Sequence, residues 1–144
     1  MSALNTVFWL KIAAGVVIGF GILAALAAHP GTAAPFRLLA DLVLWPIDGA
    51  QSLATDESRI LCAIAGGLMC GWGVLLWLVA DRLPAQAPGL VKPLILASVV
   101  SWFVVDSLAS VAAGAPLNAV LNAGFLAMFV VPLIRRPRLD VKAS

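Results

Sequence analysis

Four apolar stretches, each long enough to cross a membrane, crowd into 144 residues, and this limits the fold more than any other feature of the chain. A helix needs about 20 residues to span a ~30 Å hydrocarbon layer. The first stretch, 6–28, runs from Thr6 to Ala28 and is broken only by Lys11. The second, 60–80, carries no charge, the third, 93–113, carries only Asp106, and the fourth, 116–134, again carries none. Composition agrees: 62% of residues are hydrophobic and 11% charged, against about half and about a quarter in soluble domains. A water-soluble chain of this length could not cover so much apolar surface. The expected fold is all-α: one membrane domain over 1–144, built as a four-helix bundle with the lipid bilayer as its principal partner.

The connections refine this picture. Only Gly114-Ala115 separates the last two spans, and Pro116 follows at a position suited to the first turn of a helix, so those spans should form a tight antiparallel hairpin. The loop from His29 to Arg59 contains an apolar segment, 36–45, that is too short to span. It ends at Trp45-Pro46 and is read as an interfacial or re-entrant helix in the first outer loop. Arg37 and Asp41, four apart, share one face of it. Thr55 followed by Asp56 and Glu57 should cap the second span. The first span has a rival reading as a cleaved signal peptide, with Lys11 ahead of an apolar run and small residues near Ala25. Against that, Val7-Phe8-Trp9-Leu10 makes the region before the run apolar and poor in positive charge.

Orientation follows from Lys and Arg. One side holds Lys11, Arg82, Lys92, Arg135, Arg136, Arg138 and Lys142, and the other only Arg37 and Arg59. Seven against two places both termini in the cytoplasm of a bacterial inner-membrane protein. Lys11, within two turns of that side, can extend its ammonium to the headgroups.

Polar groups inside a span are functional candidates because burying them in lipid is costly. Ser98, Asp106 and Ser110 fall within one third of the third helix's circumference, and Asn118 and Asn122 share a face of the fourth. A hairpin centred on residue 114 sets Ser110 level with Asn118 and Asp106 level with Asn122. Asp106 lies about 10 Å below the outer end of its helix, and Arg59 stands at the outer end of the second span. Asp106, Asn122, Asn118, Ser110 and Arg59 are therefore the candidate ligand or ion site. The competing account is that Ser and Asn glue helices together at about 0.6–2 kcal/mol per bond, with Asp106 protonated or paired. Small residues form stripes at Ala63, Gly67 and Gly71 in the second span and at Gly15 and Gly19 in the first. Such stripes let backbones approach closely, within a chain or between protomers.

Several chemistries find no support. Cys62 and Cys70 are about 12 Å apart along one helix, too far for a disulfide within it, and act as small packing residues. The single His29 cannot make a two-histidine haem site, no Cys-x-x-Cys is present, and no ligand set has zinc spacing. No Ser or Cys nucleophile has a membrane His base, and no basic run interleaves with aromatics, so no nucleic acid is expected. No metal, cofactor or enzymatic activity is expected.

The four-span layout, with Glu57-Ser58-Arg59 leading into "AIAGGLMCGWGVLLWLVA", resembles the DoxX-like group of small bacterial membrane proteins. The resemblance covers mainly the second span and the helix count. It departs at the first span, where an Arg close to the membrane surface is expected and Lys11 stands deeper in. It implies a four-helix bundle. The expected function is that of a non-catalytic subunit or accessory factor, within a homo-oligomer or a larger membrane complex. The alternative is a small transporter or ligand-binding protein with an outward-facing site around Asp106, Asn118 and Asn122.

Overall fold

The computed structural model describes residues 3–134, and the tail cations Arg135, Arg136, Arg138 and Lys142 counted above lie outside them. Among the described residues the chain is all-helical: α1 (Ala3–Leu26), a 3-10 turn (Pro30–Thr32), α2 (Ala34–Leu44), α3 (Asp56–Gln86), α4 (Pro88–Ala112) and α5 (Pro116–Ile134). Helices α1, α3, α4 and α5 are long and apolar enough to cross a membrane, with mean hydropathy of 2.0 to 2.2 over their most apolar windows.

The four long helices form a ring in which α1 packs on α3, α3 on α4, α4 on α5 and α5 back on α1. The α1–α3 pair is antiparallel, matching Gly21 with Gly66, Ala14 with Gly73 and Lys11 with Asp81. Along the bundle the interior changes character. Toward the Lys11 end it is mostly aliphatic, with Leu10, Val17, Leu76, Ile95 and Val99 buried together beside the ring of Phe129. Next comes an aromatic layer in which Trp72 lies 5.5 Å from Trp102, Trp102 6.3 Å from Phe125, and Phe125 4.9 Å from Phe20. The indole of Trp72 donates to Ser98 Oγ at 2.7 Å, satisfying the polar atom of a half-buried ring. Polar side chains of α4 and α5 occupy the far end.

The outer faces are apolar. Only 11% of α4's most apolar window is buried, and Leu61, Leu68, Val105, Leu108 and Val120 are exposed. An exposed surface of this extent is suited to lipid.

Three helices depart in their bounds from the apolar runs. The first helix is Ala3–Leu26 rather than 6–28, the third runs from Pro88 rather than from 93, and the second extends from Asp56 to Gln86 around its 60–80 core. The stretch 81–92, expected as a loop, is nearly all helix, with Ala87 the one residue between α3 and α4. Charges at Asp81 and Arg82 mark where an apolar run stops, but helical hydrogen bonding continues past them. The break comes at Pro88, which disfavours helix at the residue before it and suits the first turn of α4. The fourth helix, Pro116–Ile134, matches its apolar run. The short helix in the first loop is Ala34–Leu44 against the expected 36–45, and it packs across the ends of α5 and α1.

Candidate functional site in the α4–α5 hairpin

A Schellman turn sets the geometry of the hairpin. Gly114 adopts φ +81°, a left-handed conformation that a side chain strongly disfavours. Its N–H donates to Val111 O at 3.1 Å, and the N–H of Ala115 donates to Ser110 O at 2.9 Å. Helix α5 then starts at Pro116, so the polar residues near both helix ends meet across the interface.

They meet around one carboxylate oxygen. Asp106 Oδ1 accepts from Ser110 Oγ at 2.9 Å and from Asn118 Nδ2 at 3.1 Å. Asn118 Nδ2 also donates to Ser110 Oγ at 2.8 Å, closing a triangle of three side chains. Each of these residues is half-buried. The expected Ser110–Asn118 level is present, and Asn118 also supplies the amide that register alone assigns to Asn122.

Asn122 does not bond to Asp106 here. It is buried, and its Nδ2 donates to Ser107 Oγ at 3.3 Å. Four residues advance the helix by about 400°, so Asn122 is rotated by roughly 40° from Asn118. That rotation turns it from Asp106 toward the neighbouring serine. Ser107 was not singled out by periodicity, although its place beside Asp106 in a span made it available as a partner.

Arg59 is also directed elsewhere. Its Nη1 donates to Asp56 Oδ1 at 3.3 Å and its Nη2 to Ala54 O at 3.0 Å, so it braces the start of α3. Thr55 caps the same helix as expected, its hydroxyl oxygen accepting from Ser58 N at 3.2 Å. A second acid is buried in the first loop: Asp41 of α2 accepts from the Gln51 N–H at 3.3 Å, tying the loop back onto its helix. Among the described residues no ion pair joins Arg37 to Asp41.

The small-residue stripes lie as follows. Ala63, Gly67 and Gly71 are exposed, and a Cβ added at Gly67 or Gly71 would meet nothing within 4 Å. Gly19 is likewise open, while a Cβ at Gly15 would meet Trp77 at 3.6 Å. The tight α1–α3 contact is made by Gly21, Gly66 and Gly73 instead. Lys11 has a partner that charge counting did not bring out: its ammonium lies 2.9 Å from Asp81 Oδ1 and 4.8 Å from the centre of the Trp77 ring.

Comparison of the chain with protein-family models, with curated proteins and with solved structures finds no match.

Proposed function

We propose that this chain is a non-catalytic subunit or accessory factor of the bacterial inner membrane, self-associating or docking in a larger complex through the outward face of α3. The observation that supports this reading is the exposure of Ala63, Gly67 and Gly71 on one side of a helix whose neighbouring glycines, Gly66 and Gly73, are already occupied by α1. Small residues at four-residue spacing favour close backbone approach in lipid, where no hydrophobic force drives helices together. The four-helix layout fits the same reading. Both termini are cytoplasmic by the distribution of Lys and Arg. Helix α2 lies on the outer leaflet, with Leu38, Leu42, Trp45 and Ile47 available to the acyl boundary.

The test is native mass measurement after mild extraction and in nanodiscs. Oligomers, or co-purifying subunits of fixed stoichiometry, are expected, and Gly67→Leu combined with Gly71→Leu should release monomer. A monodisperse monomer in every mild detergent and in nanodiscs would sink the proposal.

One observation favours a second reading, a small transporter or ligand-binding protein. Asp106 is half-buried in an apolar helix, with its carboxylate oriented by Ser110 and Asn118, an arrangement costly to keep in lipid for packing alone. Under this reading Asp106→Asn abolishes binding or transport while leaving the bundle folded.

A further inference from the structure

We propose that a groove beside Lys11 holds one phospholipid with an anionic headgroup, its phosphate on the Lys11 ammonium and an acyl chain along Ile12, Gly15 and Val16. The groove has a volume of about 680 Å³ and opens on the outer surface of the α1–α3 pair. Phe8, Ile12 and Val16 recur at four-residue spacing along one face of α1, with Lys11 and Gly15 beside them and Trp77 of α3 as the side wall. Because residue 15 is glycine, the lane next to Trp77 stays open.

Charge selects the occupant. Lys11 sits about 12 Å along α1 from Ala3, midway along the groove with Leu4, Val7 and Phe8 to one side and Ile12, Gly15 and Val16 to the other, and it is partly exposed. Its carboxylate partner is shared: Asp81 also accepts from Arg82 Nε at 3.1 Å, so two cations face one acid and the local sum is positive. The groove's other lining residues are apolar, and none of them is acidic. A zwitterionic lipid brings its own cation to this positive site, whereas an anionic phosphate brings net complementary charge. The face of Trp77 holds the ammonium from one side and Asp81 takes one of its hydrogen bonds, leaving the remaining ammonium N–H groups to direct at an incoming phosphate.

The proposal rests on the chain lying in a bilayer and not on its self-association. Native mass spectrometry of the full chain in mild detergent reads both, because each spectrum gives chain number and bound lipid separately. Phosphatidylglycerol should bind about fivefold better than phosphatidylcholine with the same acyl chains, the weight of one cation near a lipid surface. Lys11→Gln should remove that preference. Gly15→Leu should fill the lane and reduce binding of both lipids. Asp81→Asn, made in an Arg82→Gln background so that only Lys11 is released, should raise the preference above that of Arg82→Gln alone. Equal binding of the two lipids by the unaltered chain would overturn the proposal. So would a preference that survives Lys11→Gln, or one that fails to rise in the Asp81→Asn comparison.

Discussion

Asp106 accepts two hydrogen bonds on one oxygen, and both donors come from residues within the same hairpin. An asparagine at this position offers an amide oxygen of nearly the same shape, and no charge must then be held in a low dielectric. Asp106→Asn should therefore keep or raise the midpoint of thermal unfolding in detergent. Asp106→Ala leaves the Ser110 hydroxyl without its acceptor and the Asn118 amide with only Ser110 Oγ, which should cost about 1–3 kcal/mol. Arg59→Gln should show no coupling to either change in a double-mutant cycle, since Arg59 is engaged by Asp56 and Ala54. Equal destabilisation by the Asn and Ala variants would count against this account.

At the scale of helices, the adjacent glycines Gly66 and Gly67 have opposite surroundings. A Cβ on Gly66 would lie 2.6 Å from the Gly21 carbonyl oxygen and still closer to Ala25 N, whereas one on Gly67 would enter open space. Gly66→Ala must push α1 and α3 apart, at about 1–3 kcal/mol. In the isolated chain Gly67→Ala should be neutral or gain up to about 1 kcal/mol from helix propensity. Paired thermal melts of the two variants check this, and similar losses in both would remove the distinction. The same pair shows what the sequence could convey. Helical content and the α4–α5 turn were legible, because apolar run length and Gly114-Ala115-Pro116 act locally. Which glycine faces α1 was not, because two adjacent four-residue stripes are equivalent until a partner helix fixes the rotation. The Ser110–Asn118 level was legible from hairpin register, but the bond from Asn118 to Asp106 and the turn of Asn122 toward Ser107 depend on how α4 and α5 are rotated against each other. Lys11 and Asp81 are 70 residues apart, so only the antiparallel pairing of α1 with α3 brings them together.

Across the whole molecule, the ring of α1, α3, α4 and α5 reverses direction at each step. The start of α1, the Ala87 break and the end of α5 therefore share one end of the bundle. Lys11, Arg82 and Lys92 lie toward that end, which gives the topology its test. A reporter fused after Ser144 should be active only as a cytoplasmic reporter, and one inserted near Ala50 only outside. Reversed signals would overturn the charge argument, since short loops leave the Lys and Arg bias to set orientation.

The two helix pairs also differ in what they must give up to form. Asp106, Ser110, Asn118 and Asn122 lose rotamer freedom when they order, but the turn at Gly114 has already brought α4 and α5 together. Helices α1 and α3 have no such tether, since the connection between them contains α2 and the segment 45–55. The closest approach of their backbones is made by Gly21, Gly66, Gly73, Ala14 and Ala25, residues with almost no side-chain entropy to lose. Of these two pairs, the one that draws less help from chain connectivity thus has fewer side-chain degrees of freedom to freeze where its backbones meet.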